Sequence, residues 1–368
     1  MGRKGPIGPH GYGAFRPTPA AAEGRVGNKL GNPVKKKHVW TVLKFAIPIA
    51  IVIWLLTRVP GDQYRQLRDR PKDWTLLAAA TGVVFSAVSL TFIRWYLLVR
   101  ALSLPFRLAD AFRLGFLGYL LNFVSPSSVG GDAFKAFFIA REQPGRRPEA
   151  VATVVVDRVV GLCGLLLLTS CVIVCGGASS TNPQVSLLAR SILGVTVTGL
   201  LGVFALLVSG FAQDRLTFWV SGLPRVGRLT GRLLLALRVY RLRWRTVCGA
   251  TLMSMVSHGL FALAIFLIAK ALFTRVPTLG EHLLIVPLGA TAGMLPFPGG
   301  LGAFEFAMQK LYEIIPAGDI EATGVLVALV YRLMTILVAT VGAWLYWAGR
   351  SEVRGLLQEA QRETESGD

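Results

Sequence analysis

The chain has 368 residues, of which 53% are hydrophobic and 16% charged, and its mean hydropathy is +0.56. That balance excludes an ordinary soluble domain, in which about 25% of residues are charged. The net charge of +19 would suit nucleic acid, but the basic residues flank the apolar runs. They read as positive-inside topology and contact with anionic lipid at the cytoplasmic face, so no nucleic-acid partner is expected.

Residues 1–38 are rich in Gly, Pro and basic side chains and end in Lys35-Lys-Lys-His38, which predicts a disordered basic cytoplasmic tail. A secretory signal competes with that reading, but the apolar run starts late and lacks a small-residue cleavage site. The first span is expected over 39–57, and the second over 74–99 with Arg94 near its cytoplasmic end. An apolar helix over 108–124 then stops at Ser125-Pro126, and a shorter one over 130–141 restarts at Gly130-Gly131. Neither reaches the ~20 residues of a comfortable span, so together they read as a re-entrant pair.

Full spans follow over 150–175, with Asp157-Arg158 in its first turns, and over 187–209. Residues 210–245 set Arg225, Arg228, Arg232 and Arg238 among leucines at helical spacing, the pattern of an amphipathic helix on the cytoplasmic leaflet. A fifth span over 246–272, a second re-entrant pair over 281–315, a sixth span over 320–348 and a short charged cytoplasmic tail over 350–368 complete the chain. The membrane domain thus covers 39–349. The fold class is all-α and polytopic: about six full transmembrane helices plus two re-entrant broken-helix pairs. The expected location is the cell (inner) membrane, with both termini cytoplasmic.

Two stretches interrupt the apolar sequence in the same way. Ser125-Pro-Ser-Ser-Val-Gly-Gly-Asp-Ala-Phe-Lys135 and Leu295-Pro-Phe-Pro-Gly-Gly-Leu-Gly-Ala-Phe-Glu305 align with a shift of 170, which brings Pro126 onto Pro296 and Gly130 onto Gly300. The same shift places Arg100-Ala-Leu102 on Lys270-Ala-Leu272. A duplication explains this, with copies over about 74–175 and 246–348 inverted in the membrane. Two unrelated loops that both needed Pro and Gly are the alternative. In hydrocarbon, backbone freed by Pro and Gly survives only inside protein or along a wet cavity, so each break is a site candidate. Inward-pointing half-helices also place positive dipole ends where an anionic group such as a lipid phosphate can be held.

The candidate substrate-binding residues are Ser127, Gly130, Gly131, Asp132, Lys135, Asp157 and Arg158 in the first half, and Pro296, Gly299, Gly300, Glu305 and Arg332 in the second. Charges within the membrane are expensive, so each needs a partner or a function. The 170-residue shift makes Glu305 the counterpart of Lys135, and the opposite charges suggest a pair across the interface. Glu305 either carries a coupling proton or, paired with Lys135 or Arg332, fixes the two copies together. Structural pairing or snorkelling is the plain alternative for all of these charges. His258, with Ser254 on its own face, reads as a helix-packing group. Cys163, Cys171, Cys175 and Cys248 read as buried structural thiols, because no His or carboxylate lies near enough to complete a metal site.

These motifs resemble the membrane region of bacterial lysylphosphatidylglycerol synthases, a flippase-like family with many stand-alone members. The similarity covers about 40–349 and is most specific at the Pro296…Gly300…Glu305 element. It implies movement of phospholipids or related lipids between leaflets. The family's aminoacyl-transferring domain is soluble and follows the membrane part, whereas about twenty residues follow the last span here. That activity, a catalytic residue, a cofactor and a bound metal are therefore not expected. No Walker-type phosphate loop occurs, which argues against ATP-driven pumping. The partners expected are membrane lipids, with a homo-oligomer or a separate lipid-modifying enzyme as candidates. A membrane-embedded lipid-modifying enzyme and a non-catalytic partner subunit are the competing functions.

Overall fold

The computed structural model describes residues 68–124, 130–177, 183–208, 240–293 and 301–348, together with Ile53, Trp54, Thr57 and Gly61. The expected tails and most of both the 39–57 span and the basic 210–245 segment lie outside the described residues.

All regular structure among the described residues is helical. The helices are α1 (Trp74–Ala101), α2 (Leu108–Val124), α3 (Gly130–Glu142), α4 (Arg147–Val172, extended by a π-turn over Ile173–Gly177) and α5 (Pro183–Val208). They continue with α6 (Trp244–Leu272), α7 (Leu279–Ala292), α8 (Ala303–Ile314) and α9 (Gly324–Ala348). Five of these, α1, α4, α5, α6 and α9, are long and apolar enough to cross a membrane. At 1.5 Å per residue, α2 and α3 are about 26 and 20 Å long, short of the ~30 Å hydrocarbon core.

Local chemistry fixes the helix ends. Asp73 caps α1 by accepting from the Leu76 N–H at 3.0 Å. Thr278 and Glu281 form a capping box at the start of α7, with the Thr278 N–H donating to Glu281 at 2.6 Å. The helices stop before each Pro-Gly break and restart beyond it, because proline and glycine both disfavour continuation. α1 begins at Trp74 and α6 at Trp244, and the breaks fall between α2 and α3 and between α7 and α8.

The longest packing contact joins α1 to α6. α2 rests on α3 and α9, α7 on α8, α3 on α4 and α8 on α9. Loop hydrogen bonds define two ends of the bundle. At one, Gln143 donates to the Pro105 carbonyl at 2.8 Å, Arg146 to that of Leu102 at 3.0 Å, and the Tyr240 hydroxyl to that of Leu98 at 2.9 Å. The start of α2 and the finish of α3 therefore share this end. At the other, the Asp73 N–H donates to Ala271, and the Glu321 N–H donates to Arg275 at 2.9 Å. The start of α7 and the finish of α8 share that end, where the Ala317 N–H reaches Glu281 at 3.0 Å. Arg70, Arg275, Asp319 and Glu321 form an ion-pair cluster over it.

The cysteines correct an expectation. Cys171, Cys175 and Cys248 are exposed and Cys163 is half-buried, so they are not core thiols. In a membrane helix an apolar surface is satisfied by lipid as well as by packing, so an apolar run does not show which side faces inward.

Candidate functional site

The site is built where the half-helices meet the spans that follow them. α3 opens with Gly130-Gly131-Asp132, and α2 runs against it at backbone distance. A Cβ on Gly131 would stand 2.0 Å from the Gly118 carbonyl oxygen, so only glycine permits this crossing. The Gly131 N–H donates to Asn122 Oδ1 at 2.9 Å, which fastens the two half-helices together.

Asp132 then projects from the first turn of α3 and receives Arg158 of α4. Lys135, one turn on, brings its ammonium to 4.0 Å from the same carboxylate. That nitrogen also lies 5.7 Å from the centroid of the Phe92 ring and 5.3 Å from that of Trp95. Aromatic faces stabilise a cation without neutralising it.

Asp157 and Arg158 are neighbours on α4 and so point about 100° apart around the helix. Arg158 faces Asp132, while Asp157 turns to Arg94 of α1, whose Nε donates at 2.9 Å. Arg94 also donates to the Ser254 hydroxyl of α6 at 2.9 Å, and Ser254 donates to the Gly161 carbonyl at 3.1 Å. Three helices are thus pinned around one buried guanidinium. His258 Nε2 lies 3.2 Å from that same Gly161 carbonyl. It packs between helices as expected and also lines the cavity described next.

The second half carries a similar acid–arginine pair. Gly302, at φ 81°, turns the chain into α8 in a conformation that favours glycine. Glu305 is fully buried; its Oε2 accepts from the Gly302 N–H at 2.6 Å and its Oε1 from Arg332 Nε of α9 at 2.5 Å. The acid of the half-helix and the arginine of the next span are 26 residues apart in the first pair and 27 in the second. Asp132 and Glu305 are each the third residue of their helix. Asp132 and Glu305 thus hold matching places in their helices, and of the two partners expected for Glu305, Lys135 and Arg332, the structure gives Arg332. The reason is local: α8 starts at Ala303, three residues later than a constant shift from Gly130 requires.

Two cavities meet at this place. The first, of about 200 Å³, is lined by Arg94, Asp132, Lys135, Asp157, Arg158 and His258 with the Phe92 and Phe261 rings. The second, of about 260 Å³, is lined by Arg158, Phe304, Tyr331, Arg332 and Thr335. Tyr119, Asn122 and Arg158 line both and form the wall between them. Among the described residues no cluster of three or more His, Cys, Asp or Glu side chains is placed to hold a metal ion.

Of the residues expected from the sequence, Asp132, Lys135, Asp157 and Arg158 are brought together, and Gly131 positions them. Gly130 opens the half-helix, and Glu305 and Arg332 form the second pair. Ser127, Pro296, Gly299 and Gly300 lie outside the described residues. Arg94, Tyr119 and Asn122 were not among the expected site residues. For Asn122 the signal was present: a lone amide in an apolar helix, one turn before a proline.

A helical bundle with five helices among the described residues long and apolar enough to cross a membrane, and with ion pairs around adjoining cavities, defines a multi-pass membrane protein with an internal polar site. Residues 41–342 match the model of the lysylphosphatidylglycerol synthase TM region, and the chain belongs to that family. It is also similar to a UPF0104 membrane protein of Methanothermobacter thermautotrophicus, with 25% identity over 317 residues that cover 81% of this chain and 92% of the relative. No solved structure matches the chain.

Proposed function

We propose that the protein moves a lipid between leaflets, taking the headgroup through the two adjoining cavities while the acyl chains remain in the bilayer. The observation that carries this reading is the shared wall of Tyr119, Asn122 and Arg158 between two charged cavities. A polar route broken by one layer of side chains is the arrangement a headgroup needs to leave one compartment for the other. Membership of the lysylphosphatidylglycerol synthase TM region family supports a lipid substrate.

The architecture we propose is two inverted copies, α1–α4 and α6–α9, each with a re-entrant pair entering from its own end. The matching order of helices, the quasi-equivalent ion pairs and the loop contacts at opposite ends support it. Inverted repeats with broken helices place a site at their interface near the bilayer midplane. Exposed Arg147 and Gly280, replaced singly by cysteine, should label from opposite sides of the membrane; equal sidedness would reject the inversion. The location we propose is the cell membrane, with both termini cytoplasmic.

The functional test is reconstitution of the purified chain in liposomes with reporter-labelled lipids in both leaflets. Protein-dependent leaflet exchange is the expected result. Vesicles that exchange no phospholipid, aminoacylated lipid or lipid-linked glycan faster than protein-free controls would reject the reading.

A further inference from the structure

We propose that the adjoining cavities select an anionic phosphodiester headgroup and discriminate against cationic, aminoacylated ones. This rests on the translocator reading and narrows its substrate. The charges of the site carry it. Arg94, Lys135, Arg158 and Arg332 line the cavities against Asp132 and Asp157, with Glu305 buried behind Arg332 as the third carboxylate. Segments 125–129 and 294–300, which join the half-helices, contain no charged residue and leave this balance unchanged. Four cations against three carboxylates leave a surplus of one positive charge among the described residues.

That surplus resides at Lys135. Arg94 has Asp157, Arg158 has Asp132 and Arg332 has Glu305. Lys135 shares Asp132 from the longer distance of 4.0 Å. Its ammonium lines the first cavity beside the Phe92 ring, where its donors remain available to an incoming oxyanion. Charge imbalance away from bulk water is costly, so a monoanionic phosphodiester relieves it. A lysyl ester of phosphatidylglycerol carries two amines to one phosphate and would double the excess. The cavities, about 200 and 260 Å³, are each several times the ~30 Å³ share of a liquid water, so they suit a hydrated headgroup rather than a bare ion.

The test titrates the full chain in detergent micelles with three probes by calorimetry: dihexanoyl phosphatidylglycerol, its lysyl ester, and inorganic phosphate. Phosphatidylglycerol, at net −1, should bind about tenfold or more tightly than the lysyl ester, at net +1, a difference of two unit charges in such a site. Lys135→Gln should erase that preference and Lys135→Glu should reverse it. The wild-type comparison decides alone if neither variant folds. Equal or tighter binding of the lysyl ester overturns the proposal. Phosphate binding as tight as the lipid's overturns the assignment to a lipid headgroup, and absence of binding by all three overturns the site. Leaflet exchange separates the two readings. Lysyl lipid exchanged as fast as phosphatidylglycerol removes the charge preference and leaves translocation standing, whereas anion-selective binding without exchange does the opposite.

Discussion

Glu305→Gln should destabilise the fold by about 3–5 kcal/mol, the usual consequence of stripping one partner from a buried ion pair. The geometry supports the upper part of the range for pairs of this kind. Glu305 has no exposure, and the Arg332 side chain only 11%. Both carboxylate oxygens are used, one by Arg332 at 2.5 Å and one by the Gly302 N–H at 2.6 Å. Glutamine has the same shape but one oxygen, so its NH₂ must face either the guanidinium or the backbone N–H. One charge-assisted bond, about 1.5–3 kcal/mol, is lost whichever way the amide turns. The guanidinium then remains buried without its counter-charge, which accounts for the rest. Equilibrium unfolding in mixed micelles measures the change. Replacing both residues by leucine should recover most of it, since an apolar pair leaves no orphaned charge. A single variant within about 0.5 kcal/mol of wild type, or a double variant no better than the single, would refute the structural role.

Asp132→Asn should cost less than Glu305→Gln in the same assay, because the Arg158 side chain is 48% exposed and opens onto both cavities, whereas Glu305 is fully buried. Gly131→Ala should destabilise by about 1–3 kcal/mol, since its Cβ would meet the Gly118 carbonyl oxygen at 2.0 Å, whereas Gly194→Ala, with no neighbour within 4 Å, should be neutral or slightly stabilising. The outer ion cluster should give the protein an acid-sensitive end. Hydrogen bonding from Arg275 holds Glu321 below its ordinary value of 4.5, so its stabilising contribution is present above that pH and fades as pH falls toward the lowered value. Thermal unfolding followed from pH 6 to pH 3 should show this loss, and Glu321→Gln should flatten the profile over about that window; an unchanged slope would count against it.

The helix boundaries were largely legible because hydropathy, proline and glycine act locally. Expected starts at residues 74, 108, 130 and 246 compare with Trp74, Leu108, Gly130 and Trp244 in the structure. Pairings between helices were less legible. Lys135 and Arg332 both stood as partners for Glu305, and the later start of α8 decides for Arg332, since one turn of helix sets which side chain meets the next span. Arg94 was expected only near the cytoplasmic end of its span. Its partners, Asp157 and Ser254, come from 63 and 160 residues away and carry no mark of that contact in sequence. The exposed cysteines show the same limit: a membrane helix is apolar on both its packed and its lipid-facing sides.

The ion pairs also impose a schedule on synthesis. Asp132 emerges from the ribosome 26 residues before Arg158, and Glu305 leads Arg332 by 27. At roughly 5–20 residues per second, each acid waits about one to five seconds for its arginine. Arg94 waits longer still, until Asp157 arrives 63 residues later. During that interval a charged half-helix shorter than the hydrocarbon core has no stable place inside it, so it must linger at the interface or within the insertion machinery. On the re-entrant architecture proposed above, each half-helix pair would then move inward with the span that follows. A ribosome stalled between Asp132 and Arg158 would hold α2 and α3 at the membrane surface.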